Sequence, residues 1–61
     1  MESKLLEEFL VLSKLVEAIN IDITKNASGN KSAGVRARKA LREVKKKAAH
    51  VVKLSLDLDK D

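Results

Sequence analysis

The chain has 61 residues, a formal net charge of +4, one histidine and no cysteine. A chain of this length forms one domain at most and buries only about 60% of its unfolded surface, and without cysteine it holds neither a disulfide nor a thiolate metal site. Because proline is absent, glycine appears twice and Phe9 is the only aromatic residue, the composition favours helices. We therefore predict an all-α fold in one helical-hairpin domain, residues 1–61, stabilised by further copies of the chain.

The first predicted helix spans about residues 3–25 and is apolar on two sides. Its main apolar pattern has steps of 4 and 3, typical of a coiled-coil a/d seam, and comprises Leu5, Phe9, Leu12, Val16, Ile19 and Ile23. A second set lies elsewhere on the helix: Leu6, Leu10, Val11, Ala18 and Ile21. A helix with two apolar faces needs two neighbours, so we expect it to pack on the second helix and on another subunit. The predicted oligomer interface is Leu6, Phe9, Leu10, Leu12, Val16, Ile19, Ile21 and Ile23.

A turn is predicted over residues 26–30, NASGN, which contain the only break signal in the sequence. Gly29 suits a left-handed backbone conformation, and Asn30 or Ser28 can accept hydrogen bonds from the free N–H groups of the next helix. Because the loop is short, the two helices should lie antiparallel.

The second predicted helix spans about residues 31–57. Its seam is narrow and rich in alanine, and comprises Ala37, Leu41, Val44, Ala48 and Val51. Gly34 lies at the edge of this stripe, where a close backbone approach would account for a glycine. Residues 19–24 and 53–59 alternate apolar and polar with period two, as strands do, but an antiparallel hairpin puts them at opposite ends, so we predict both as helical. The expected fold is a coiled-coil-like two-helix hairpin that oligomerises, as a dimer or tetramer, into a helical bundle.

Positive charge is concentrated in the second helix, where nine cationic side chains and one anionic one, Glu43, lie between Lys31 and Lys53. Most of these cations project away from the alanine-lined seam, and the helix rises about 33 Å over this stretch, close to one turn of B-DNA at about 34 Å. Dense positive charge attracts a polyanion, so we predict sequence-tolerant binding of double-stranded DNA, governed by charge and shape. The predicted DNA-binding residues are Lys31, Arg36, Arg38, Lys39, Arg42, Lys45, Lys46 and Lys53.

The same cations are compatible with roles besides DNA binding. They could form a solvated surface, or one neutralised by acidic segments of another subunit. The main alternative function is a coiled-coil oligomerisation module whose basic face binds an acidic protein partner. RNA is an alternative nucleic-acid ligand. A membrane surface fits less well, because alanines such as Ala37 and Ala48 are poor anchors, and we predict neither a membrane partner nor a small-molecule substrate.

The run GNKSAGVRARK, residues 29–39, followed by Leu41 and VKLSLDLDK, resembles the small linker-histone-like family of bacteria, of the chlamydial nucleoid-condensing type. Members are similar in having an apolar first helix, a turn ending in Gly-Asn-Lys and a helix with an Arg-x-Arg pattern. Those positions here are Gly29, Asn30, Lys31, Arg36 and Arg38. The resemblance covers roughly the second half of the chain. It implies a histone-like, nucleoid-associated protein that coats, bends or compacts DNA as an oligomer.

The sequence departs from the chlamydial type at its end. That type carries a long tail rich in Lys, Ala and Pro, which supplies much of its DNA affinity. Here the sequence ends in DLDKD. We expect a short, tailless member in which the second helix alone carries DNA binding.

No arrangement of residues predicts an enzyme or a cofactor. Glu7 and Glu8 are adjacent in sequence and so project about 100° apart on a helix, and His50 is the only histidine available to a serine triad. The string GNKSAG lacks the spacing of a nucleotide-binding loop. The sequence opens with Glu2 and has no basic leader. We therefore predict a non-enzymatic, cytoplasmic protein associated with the nucleoid.

Overall fold

The computed structural model describes residues 4–60 and consists of two α-helices joined by a tight turn. Helix α1 spans Lys4–Ala27 and helix α2 spans Lys31–Asp59. The helices pack along their lengths as an antiparallel hairpin, a rod of 49 × 16 × 11 Å. The predicted all-α hairpin is therefore confirmed, while its assembly into a bundle stays a prediction. Within residues 4–60, neither helix combines the length and apolar character that crossing a membrane requires.

The turn ends one helix and starts the next with two residues. Gly29 adopts φ +104°, in the left-handed region. Its N–H donates to the Asn26 carbonyl at 2.9 Å, and the Asn30 N–H donates to the Lys25 carbonyl at 3.0 Å, which is the Schellman pattern of helix termination. The Asn30 side chain then caps α2, because its Oδ1 accepts from the Ala33 N–H at 3.0 Å. Termination and capping in consecutive residues force the chain to reverse direction.

Both helices run two residues beyond the predicted ends. Helix α1 continues to Ala27 because Gly29, the residue that stops it, lies two positions later. Helix α2 continues to Asp59, followed by Lys60, whose N–H donates to the Asp57 carbonyl at 3.3 Å. The two segments with a period-two pattern, 19–24 and 53–59, are helical as predicted.

The buried centre of the hairpin lies next to the turn. Ile19 of α1 and Ala33, Gly34 and Ala37 of α2 are the buried residues within the described part of the chain. Side chains this small on α2 permit a close approach of the helix backbones. Gly34 lies against a side chain rather than a backbone, since a Cβ atom there would lie 2.8 Å from Cγ of Asn26; the predicted close backbone approach stays a prediction.

The side of α1 that faces α2 differs from the predicted seam at alternate positions. Leu5, Leu12 and Ile19 are the least exposed members of the predicted set. At the second seam position of each heptad, however, the half-buried residues are Glu8, Leu15 and Asp22. Each lies one position before the residue that was predicted there. Phe9, Val16 and Ile23, expected in the seam, are 49%, 50% and 40% exposed and lie at one edge of it. The buried residues of α2, Ala33 and Ala37, have small side chains, which cover less of a neighbouring large side chain than a leucine would.

Candidate nucleic-acid interface

The cations predicted to bind DNA all belong to α2, and all eight side chains are exposed. Six of them make no ion pair or hydrogen bond with any other residue that the structure describes. We call these six the basic face: Lys31, Arg38, Lys39, Arg42, Lys45 and Lys46. Because α2 is one uninterrupted helix, its hydrogen-bonded backbone fixes the spacing between them.

Arg36 is engaged by a carboxylate of the other helix. Its Nε and Nη2 atoms donate to Oδ1 of Asp22 at 3.2 and 3.1 Å. The Asp22 side chain keeps 26% of its accessible surface and the Arg36 side chain keeps 55%. Such a partly exposed pair contributes little to stability, about 0–1 kcal/mol. It nevertheless holds Arg36 across the helix interface, away from the basic face.

Three further charged residues of α2 border the basic face. The Nζ atom of Lys53 lies 3.7 Å from Oδ2 of Asp57, which is one turn further along the same helix. Lys47 is half-buried at the edge of the helix interface, a position from which an aliphatic stem can cover apolar surface. Glu43 is exposed, seven residues after Arg36 and therefore on the same side of the helix as Arg36. The single anion of this stretch thus lies beside the basic face rather than within it.

The residues predicted to form the oligomer interface fall into three groups. Leu12 and Ile19 face α2: Leu12 is half-buried and Ile19 is only 5% exposed. Leu10 and Ile21 are exposed on the side of α1 turned away from α2. The remaining four are exposed along one edge of the hairpin: Leu6, Phe9, Val16 and Ile23.

This edge of α1 and the adjacent edge of α2 border two open, mostly apolar depressions, which we together call the side groove. Near the turn it is lined by Val16, Glu17, Ile19, Asn20, Ile23 and Leu41. Near the open end it is lined by Leu5, Leu6, Phe9, Val51, Ser55 and Leu58. Phe9, Val16 and Ile23 recur every seven residues, so both ends of the groove lie on the same side of α1.

Two features of these surfaces were not predicted from the sequence. The first is the pairing of Asp22 with Arg36, although a signal was present: both lie seven residues from Gly29, and an antiparallel hairpin brings such residues to the same height. The second is the contribution of α2 to an exposed apolar surface. Leu41 was assigned to the internal seam and is 45% exposed in the side groove.

The chain matches the model of a known protein family. The model of the family described as histone H1-like protein Hc1 matches residues 6–61, which is 56 of the 61 residues. Comparisons with curated proteins and with solved structures give no significant match. The family match extends over both helices and the turn, beyond the second half of the chain that carried the resemblance in sequence.

Proposed function

Because this chain belongs to the histone H1-like protein Hc1 family, we propose that it is a histone-like, nucleoid-associated protein of the cytoplasm that binds double-stranded DNA without strong sequence preference. Its role would be structural rather than enzymatic, and the basic face of α2 would make the contacts. The observation that carries the proposal is the set of six exposed cations on one helix with no carboxylate partner among the described residues.

Charge density supports DNA as the ligand. The basic face runs from Lys31 to Lys46, and α2 rises about 22 Å over these residues. Two-thirds of a turn of B-DNA covers about the same distance, so cations near the two ends of the basic face can reach phosphates on both sides of one groove. Each phosphate that is neutralised releases condensed counterions, and this release drives association.

The geometry of α2 supports binding without base recognition. A long helix with lysines and arginines spread over several turns meets the phosphate backbone along its length. Phosphate contacts position a protein on the duplex and carry no sequence information. Lysine acts as a point charge, while arginine can hold a phosphate with two hydrogen bonds; both suit a ligand recognised by charge and shape.

The direct test is a gel-shift titration with random-sequence duplex at several salt concentrations. The double variant Arg42→Glu, Lys46→Glu should lose binding and keep its helical circular dichroism. The matched control, Lys14→Glu with Lys25→Glu, changes the net charge equally on the exposed surface of α1 and should retain most of the affinity. Equal losses in both variants would show a response to net charge alone and would overturn the assignment to the basic face.

The same titration discriminates the alternative function, an interaction module for an acidic protein. Wild-type protein that fails to shift duplex at low salt would refute DNA binding. A preference for single-stranded or duplex RNA in parallel titrations would change the ligand while keeping the surface. These outcomes separate the identity of the polyanion from the position of its binding site.

A further inference from the structure

We propose that α2 lies lengthwise over the minor groove of duplex DNA and contacts the phosphates of both strands at once, with the side chain of Arg42 directed into the groove between them. This arrangement rests on the proposed DNA binding and specifies which part of the duplex the basic face meets. The positions of the six cations around and along α2 point to it.

Arg42 lies at the centre of the basic face. Residues three and four positions away in either direction are its neighbours on the helix surface, and all four of them are cationic: Arg38, Lys39, Lys45 and Lys46. The five side chains are exposed and have no carboxylate partner among residues 4–60. Like charges at these spacings destabilise a helix, so a bound polyanion would relieve repulsion within α2.

The cations around Arg42 form two rows. Successive residues of an α-helix project about 100° apart, so Arg38 and Lys45 lie about 40–60° to one side of Arg42. Lys39 and Lys46 lie at the same angles to the other side. Within each row the two residues are seven apart, which is about 10 Å along the helix. Two parallel rows of cations suit a ligand with two parallel lines of negative charge.

The strip between the two rows is uncharged before and after Arg42. Val35 precedes Arg42 by seven residues and Ala49 follows it by seven, so all three lie on one line along α2. Val35 is 60% exposed although it is apolar, and Ala49 is exposed as well. Short side chains without charge let the helix approach closely between two lines of phosphates, and they leave Arg42 alone over the space between those lines.

The phosphate backbones of B-DNA border two grooves, whose widths limit how α2 can lie. The minor groove is about 6 Å wide and the major groove about 12 Å, while a helix with its side chains is about 10–12 Å across. The helix could therefore sink into the major groove, whereas it would rest on top of the minor groove with one backbone under each side. These two arrangements bring different parts of the helix surface against the phosphates.

The position of Glu43 selects the minor groove. As the residue after Arg42, it projects about 100° away from it, beyond the row of Lys39 and Lys46. A helix sunk in the major groove, with Arg42 towards the base edges, would bring its flanks and the exposed Glu43 against phosphates, and like charges repel. A helix over the minor groove meets phosphates only within about 60° of Arg42, where every charged side chain between residues 31 and 53 is a cation.

The minor groove also suits binding without strong sequence preference. It presents acceptors that differ little between A·T and T·A pairs, so an arginine directed into it reads little of the sequence. The negative potential of this groove attracts arginine side chains, and proteins that wrap DNA insert arginines there without base-specific contacts. In this position Arg42 strengthens binding on any duplex.

Gel-shift titrations with two modified duplexes test the proposal. Both modifications are uncharged: one duplex carries bulky alkyl groups on N2 of guanine, which fill the minor groove, and the other carries glucosylated 5-hydroxymethylcytosine, which fills the major groove. We expect the affinity to fall about tenfold or more on the first duplex and less than about twofold on the second. The reverse order, or equal affinity for both, would overturn the proposal while leaving DNA binding intact. Failure to bind the unmodified duplex would instead refute the proposed function on which this arrangement rests.

Removing the charge of Glu43 tests the same arrangement from the side of the protein. Glu43→Gln raises the net charge by one, and Glu7→Gln, on the exposed surface of α1, is the matched control. With α2 over the minor groove, Glu43 points away from the duplex, so the two variants should bind unmodified duplex within about twofold of each other. A larger gain in affinity for Glu43→Gln than this would place Glu43 against phosphates and overturn the proposal.

Discussion

The side chain of Asn26 lies directly over Gly34, where the two helices approach each other beside the turn. A Cβ atom on Gly34 would lie 2.8 Å from Cγ of Asn26, which is closer than real Cβ contacts. The Asn26 amide also donates to the Asn30 carbonyl at 3.2 Å. This contact joins the end of α1, the turn and the start of α2 in a single cluster.

Gly34→Ala should destabilise the hairpin although alanine is the better helix former. Alanine gains about 1 kcal/mol of helix propensity, but overpacking against Asn26 costs about 1–3 kcal/mol. We expect a net loss of about 1 kcal/mol, or about 4–8 °C in Tm for a domain of this size, in thermal unfolding at fixed protein concentration. In an Asn26→Ala background the same substitution should become neutral or stabilising. A gain in Tm in the wild-type background would contradict the close contact.

Substitutions in the turn should separate its two functions. Gly29→Ala forces a side chain into the left-handed region, at φ +104°, and should cost about 1–2 kcal/mol. Gly29→Asn should cost less, because asparagine tolerates this conformation better. Asn30→Ala removes the cap on the Ala33 N–H and should cost about 1 kcal/mol. Chemical unfolding measures these differences, and equal effects of the Ala and Asn variants at position 29 would argue against a conformational cause.

The salt dependence of DNA binding should report the number of phosphate contacts. If all six residues of the basic face contact phosphate, the slope of log K against log salt should be about −5, from about −0.9 for each neutralised phosphate. Arg42→Gln should weaken binding and make the slope shallower by about 0.9, at every duplex sequence alike. Lys14→Gln on α1 is the control with the same change in charge. A slope unchanged by Arg42→Gln would exclude that residue from the contact.

Releasing Arg36 from Asp22 should strengthen DNA binding. Asp22→Asn removes the carboxylate that holds the guanidinium at 3.1 Å, so Arg36 becomes available to phosphate and the salt slope should steepen by up to about 0.9. Loss of this ion pair should lower the free energy of unfolding by less than about 1 kcal/mol. Glu7→Gln raises the net charge by the same amount without freeing a cation from a described ion pair. Equal affinities for the two variants would mean that Arg36 lies out of reach of the duplex.

Local patterns were sufficient to predict the hairpin. Composition and heptad spacing predict that both segments are α-helices. The position of the turn follows from Gly29 and Asn30, because their backbone and side-chain preferences act over only a few residues. The cationic character of α2 was also visible, because a helix places residues on its faces according to their spacing alone. Family membership extends the resemblance first seen around residues 29–39 to nearly the whole chain.

What the sequence determined by itself was the two helices, the turn and the cationic surface of α2, since each depends on interactions between residues close in the chain. Only the tertiary structure decided which cations are held by carboxylates, as Arg36 is by Asp22. It also decided which apolar residues are covered, with Ile19 inside the hairpin and Val16 exposed beside it. These outcomes depend on the rotation of one helix against the other, which brings together residues far apart in the chain and which hydrophobic periodicity alone does not encode.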